Sequence, residues 1–199
     1  MIHLHQGQGL DILWRETDDV PTEGQYKEMV LNKTGGLFRL SVGLLQIFST
    51  CTREYDYLVE EMSLYFQIRD DYINLASAKY MEHKSFCEDL TEGKLSFPII
   101  FAIRKDPQDR RLRAIIKQHT KKLKLKQHAL QYIINTGALE YTRQVLDKLE
   151  KSIKNEIAAL GGNPPLEKLM MLLHTALEGP ENELTPEAKR AKTASFPFL

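Results

Sequence analysis

An all-α fold is the expectation for this chain, and three features of its 199 residues carry it. Apolar residues recur at helical spacing through most of the first 178 positions. No alternating run of strand length appears, and Gly and Pro mostly punctuate the periodic segments. No repeat of 20 to 50 residues is evident, so a single bundle is expected rather than an array.

Taken in order, residues 3–16 show an amphipathic pattern that begins with no capping box, as though the chain started partway into an element. After the turn at "DDVPTEG", residues 23–48 read as a long helix interrupted at Gly35-Gly36, and residues 54–78 as another. A loop through "MEHKSFCEDLTEGK" follows, then a short apolar helix entered by Pro98. Residues 108–119, 125–135, 138–160 and 164–178 complete the helices, with Gly137 and Gly161-Gly162 as stops and Pro164-Pro165 opening the last. The stretch 179–199 is poor in core residues and reads as a disordered tail, so residues 1–178 carry the fold.

Composition narrows the function classes. Lys+Arg and Asp+Glu number 27 each, which gives no global charge to draw nucleic acid or an anionic membrane. The segment from Arg104 to Lys126 holds ten Lys/Arg and two acids, but no interleaved aromatics for base stacking, and reads as a solvated helix surface. "AKRAK" at 188–192 is a weak nuclear-import pattern in the tail. Cys51 and Cys87 form no CxxC and no ligand set, and are expected to be free, mostly packed thiols of a reducing compartment. His83 and Cys87 share a helical spacing, but two ligands do not make a zinc site. The first residues carry His, Gln, Asp and Arg where an apolar signal core would stand, and "FPIIFAI" is far too short to span a bilayer. A cytoplasmic location without a transmembrane segment is the expectation.

The candidate chemistry sits in "FQIRDDYIN". On a wheel of about 100° per residue, Gln67, Asp70, Asp71 and Asn74 fall within an arc of about 100°, while Leu58, Val59, Met62, Tyr65, Phe66, Ile68, Tyr72, Ile73 and Leu75 occupy most of the rest. A helix apolar nearly all round is a buried helix, so its acidic arc should face a cavity or a partner helix. Adjacent carboxylates there repel unless a positive group is supplied, and oxygen ligands at i, i+3 and i+4 suit hard cations such as Mg²⁺. A solvated acidic face at the end of a surface helix is the alternative. Complementary charge is available in "VLNKTGG", where Lys33 and Thr34 precede a glycine pair, and in "EDLTEGKLSFP", where Asp89 and Lys94 lie in a Gly-containing loop before a helix start.

In order, "GQGLDI", "LNKTGGLF", "FQIRDDYIN" and "KSFCEDLTEGKLSFP" resemble the later motifs of the trans-prenyltransferases, the all-helical isoprenyl diphosphate synthases, and most of all the geranylgeranyl diphosphate synthases. "GALEYTRQVLDKLE" and "GGNPPLEKL" fit the end of that family too. The resemblance implies an isoprenoid synthase-type bundle around a central cavity, and a Mg²⁺-dependent condensation of an allylic diphosphate with isopentenyl diphosphate. By that resemblance Asp70, Asp71 and Asp11 would ligate Mg²⁺, and Lys33, Thr34, Gln67 and Lys94 would contact the diphosphate. Gln8, Asn74 and Asp89 would support them.

Departures from the family pattern set further expectations. The first DDxxD motif and the residues that grip isopentenyl diphosphate belong to helices with no counterpart in these 199 residues, so the resemblance implies a chain truncated at its N-terminus and inactive alone. Ser63 stands where many relatives have Gly and should crowd its surroundings slightly, and Asn74 stands where farnesyl diphosphate synthases have an Asp, keeping an oxygen acceptor but removing a charge. Apolar surface left on residues 23–75 should favour homo-oligomers or association with a full-length synthase, so a non-catalytic subunit or regulatory isoform is the alternative function. A terpene cyclase is less favoured, because cyclases typically carry an NSE-type motif in place of "DDYIN".

Overall fold

A computed structural model describes residues 2–17, 19–76 and 86–178. Among them the chain is helical with no strand: α1 (Ile2–Thr17), α2 (Glu23–Ile47), α3 (Asp56–Ala76), α4 (Glu88–Glu92), α5 (Phe97–Lys105), α6 (Arg111–Ile116), α7 (Leu123–Asn135), α8 (Ala138–Ala159) and α9 (Pro164–Glu178). The tail 179–199 and His83 lie outside the described residues.

α2 is the hub of the first half. Thr22 caps it in a full capping box: its hydroxyl accepts from the Gln25 amide, and the Gln25 side chain accepts from the Thr22 amide. The helix then runs unbroken through Gly35-Gly36, against the expectation of an interruption. Two glycines in a helix cost about 1 kcal/mol each relative to Ala. Close packing offsets that cost. A Cβ on Gly36 would sit 3.4 Å from Leu4 Cβ of α1, and one on Gly35 would sit 3.3 Å from Ser63 Oγ of α3. Ser63 is fully buried and turns its hydroxyl back to the Val59 carbonyl at 2.5 Å, so the crowding expected of it is taken up by Gly35 and a local hydrogen bond.

α3 lies between α2 and the long α8. Tyr65, Ile68 and Leu75 of α3 join Ile99 of α5, Leu112 of α6, Ile133 of α7 and Leu146, Ile153 and Ile157 of α8 in one core. Fully burying such a side chain contributes about 1.5–3 kcal/mol. α4 is a single turn inside the segment read as a loop, too short to show a period. The expected helix 108–119 shrinks to Arg111–Ile116, because His119 adopts a positive φ and ends the turn.

The basic segment is not simply solvated. Lys126 is buried and donates to the Phe86 carbonyl at 2.6 Å, and Arg104 donates to the carbonyls of Val20 and Pro21. Cys87 is packed, as expected, and burial pushes its thiol up to about 12, whereas Cys51 is exposed. No described helix is long and apolar enough to cross a membrane.

Large apolar side chains remain uncovered on the second half of α2. Leu44, Leu45, Ile47 and Phe48 are exposed, Phe48 by 90%. Beside them a cleft of about 590 Å³ opens between α2, α3 and the start of α9, floored by Leu58, Val59 and Met62.

Candidate active site

The adjacent acids of α3 have opposite fates. Asp71 is fully buried and Asp70 is exposed. Every acceptor position of Asp71 is taken: Oδ1 receives Lys94 Nζ at 2.7 Å and Gln67 Nε2 at 3.1 Å, while Oδ2 receives the Tyr26 hydroxyl at 2.6 Å and the Phe97 amide at 2.8 Å. A carboxylate offers about four lone-pair sites, so this one is saturated. Asp71, expected as a metal ligand, is occupied here by protein donors. It is the anchor onto which α2, the loop before α5, and α5 itself are tied. The Phe97 amide is one of the unpaired donors at the α5 N-terminus, where a carboxylate is favoured by the helix dipole as well.

Lys94 is held between two acids, with Asp89 Oδ1 at 3.5 Å on its other side. Burial alone would lower its ammonium, but Asp71 and then Asp89 outweigh that and hold it well above the usual lysine range. Lys94 is therefore permanently charged. Burial pushes the Asp89 carboxyl up to about 7, with Lys94 opposing and Asp71 adding to the rise. The charge of Asp70 also acts on both Lys94 and Asp89, which places it at this cluster although it faces water. Asn74 accepts from the Asp89 amide at 3.2 Å and so fixes the start of α4. Gly93 ends α4 at φ +67, where a Cβ would collide with the His119 ring at 2.4 Å.

A second cation stands on α2. Lys33 Nζ bonds Asp11 Oδ2 at 2.7 Å, and Arg15 reaches the same oxygen at 2.9 Å. Burial works against the charge of Asp11, yet Lys33 and Arg15 prevail and hold its carboxyl below the usual carboxylate range. Asp11, expected as a metal ligand, here serves two protein cations. Arg15 continues to Glu92 at 3.3 Å and ties α1 to α4. α1 can come this close because of Gly7: a Cβ there would lie 2.5 Å from the Lys33 amide nitrogen and 2.9 Å from the Met29 carbonyl. Gln8, next to it, is half-buried.

Thr34 joins the two halves. Its hydroxyl donates to Gln67 Oε1 at 3.2 Å, and Gln67 donates in turn to Asp71. The two lysines and their acids thus form a connected set across α1, α2, α3 and the loop leading to α5. Arg15, Tyr26 and the Phe97 amide were not read from the sequence. Tyr26 stands seven residues, or two turns, before Lys33 and shares its face, a spacing that could have flagged it. The Phe97 amide leaves no side-chain signal. Burial, then the charge of Asp71, pushes the Tyr26 phenol well above its ordinary value, so it remains a donor.

Fold and site together define a class: an all-α bundle in which lysines, held by buried acids, gather beside an exposed carboxylate where α2, α3 and the α4–α5 loop meet. The chain belongs to the polyprenyl synthetase family, whose model matches residues 1–133. It is 53% identical to a geranylgeranyl pyrophosphate synthase of Dictyostelium discoideum over 88% of this chain and 58% of that protein. Over 84% of this chain and 55% of the relative it is 50% identical to a geranylgeranyl pyrophosphate synthase of Mucor circinelloides f. lusitanicus. A protein named terpene synthase from Matsumurasca onukii is 46% identical over 85% of this chain and 56% of its own length. The chain spans a little over half the length of these relatives.

Proposed function

We propose that this chain carries the diphosphate-holding part of a Mg²⁺-dependent, cytoplasmic prenyltransferase that makes geranylgeranyl diphosphate, and that these 199 residues alone do not elongate prenyl chains. The observation that carries the reading is the pair of lysines, Lys33 and Lys94, each fixed by a buried acid and linked through Thr34, Gln67 and Asp71. Cations fixed in advance need no reorganisation when negative charge develops on a departing group.

The donor set fits magnesium at one position. Asp70, exposed and within electrostatic reach of Lys94, is the carboxylate of the pair that faces solvent and would supply the hard oxygen. When bound, Mg²⁺ would supply Lewis-acid stabilisation of the diphosphate oxygens. The protein's own part is to hold Lys94 charged through Asp71 and Asp89, to hold Lys33 through Asp11, and to set the Thr34 hydroxyl beside them. These groups bind and orient a diphosphate; they do not grip a second substrate. Catalysis requires both reactants held in line, which is why the chain by itself is inactive in this reading.

A second reading is supported by the exposed apolar half of α2: the chain is a non-catalytic subunit that assembles with itself or with a full-length synthase. Incubation with radiolabelled isopentenyl diphosphate and an allylic diphosphate, with and without an added full-length geranylgeranyl pyrophosphate synthase, separates the readings. No product from the chain alone is expected, and measurable product would overturn the claim of inactivity. A changed rate in the mixture supports the subunit reading. Cyclic hydrocarbon among the products would instead indicate a terpene synthase.

A further inference from the structure

On the side of α3 opposite the acidic arc, a separate set of metal-capable side chains comes together where α3, α8 and α9 meet. Asp147 and Glu150 stand three residues apart on one face of α8, and His174 reaches them from α9. One ligand atom from each lies within 4.8 Å of the others. His174 Nδ1 is 2.6 Å from Glu150 Oε2, and the Glu150 side chain is only 8% exposed. Arg143 bonds Asp147 at 3.0 Å and Lys154 bonds Glu150 at 2.5 Å, so protein cations already offset part of the charge. The Tyr65 hydroxyl of α3 supplies an independent sign. Tyr65 is fully buried, and its oxygen has no hydrogen-bond partner among the described residues. The charges that act on it, after burial itself, are those of Glu150, Arg69, Arg143 and Asp147, so the phenol lies within electrostatic reach of this cluster. Buried hydroxyls are nearly always partnered by protein, water or an ion.

We propose that Asp147, Glu150 and His174 form a site for a zinc-type divalent cation that clips α9 onto α8, with the Tyr65 hydroxyl directed at it as an outer donor. One imidazole and two carboxylates suit Zn²⁺ and its first-row neighbours better than Mg²⁺, which prefers oxygen and water. With bonds near 2.0 Å, ligand atoms on a tetrahedron lie about 3.3 Å apart, so binding opens the 2.6 Å His174–Glu150 contact slightly and draws in the wider separations, which reach up to 4.8 Å. On binding, the ion inserts between His174 Nδ1 and Glu150 Oε2, any proton carried by Nδ1 is released to solvent, and Lys154 turns outward. Nothing in this site depends on the diphosphate machinery.

The test is calorimetric titration of Zn²⁺ into the full chain after stripping with a chelator. One equivalent is expected to bind, undisturbed by excess Mg²⁺ and unchanged in a His3→Ala, His5→Ala double variant. Asp147→Asn, at an exposed position that leaves the fold intact, and His174→Ala should each weaken it at least about tenfold, and the isosteric Tyr65→Phe about tenfold. Absence of saturable binding overturns the proposal, as does binding that survives both Asp147→Asn and His174→Ala; the cluster is then an ion-pair network only.

Discussion

Replacing Asp71 with Asn should unfold the site from its centre, while the same change at Asp70 should leave stability almost untouched. Asn keeps the shape of Asp71 but presents one NH₂ group, which must face either Lys94 and Gln67 or Tyr26 and the Phe97 amide. Two donors then confront a donor, and Lys94, with a side chain only 12% exposed, loses its closest counter-charge. Removing one partner of a buried charge pair costs about 3–5 kcal/mol. Against a total of about 5–15 kcal/mol that is about a fifth or more of the fold's stability. With a urea slope of about 2 kcal/mol/M the midpoint should fall by about 2 M. Equilibrium urea denaturation followed by circular dichroism reads this directly. Asp70→Asn, at an exposed position, should stay within about 1 kcal/mol of the parent. An Asp71→Asn midpoint that matches that of Asp70→Asn would refute the anchoring role.

Three further outcomes follow from the same geometry. Asp89, with its carboxyl raised to about 7, keeps a proton in the folded chain that the unfolded chain has already lost above pH about 4. Folding stability should therefore fall as pH rises from about 4 to about 7, by up to a few kcal/mol, and level off above; denaturation midpoints across that range should flatten in Asp89→Asn. Tyr26→Phe removes one hydrogen bond to a charged acceptor and leaves no cavity, so it should cost about 1.5–3 kcal/mol in the same urea assay. Gly7→Ala forces a methyl group against the Lys33 amide nitrogen and should destabilise by about 1–3 kcal/mol while weakening the α1–α2 contact, seen as faster hydrogen exchange in α1.

The helical pattern was legible because amphipathic segments declare their period, and the acidic arc because four polar residues at i, i+3, i+4 and i+7 stand out on an apolar helix. What a wheel cannot show is what fills the space outside it. Asp70 and Asp71 differ by one position on α3, yet Tyr26 and the Phe97 amide, from two other elements, decide that Asp71 is buried and saturated. Gly35-Gly36 read as a break because glycine weakens an isolated helix, but Leu4 and Ser63 press against the bare backbone and keep α2 continuous. Lys126 read as solvated for a similar reason: the carbonyl that receives it belongs to Phe86, forty residues away. Asp11 was grouped with the metal-binding acids by family resemblance, and its partners Lys33 and Arg15 became visible only once α1 lay against α2.

The most direct measurement is the stability of the full chain against urea with and without Mg²⁺ plus inorganic pyrophosphate. At about a hundred times the dissociation constant the ligand should add about 2.7 kcal/mol, and Asp70→Asn, which folds normally, should lose that gain. An unchanged midpoint on adding Mg²⁺ and pyrophosphate, or a gain that survives in Asp70→Asn, would contradict the account.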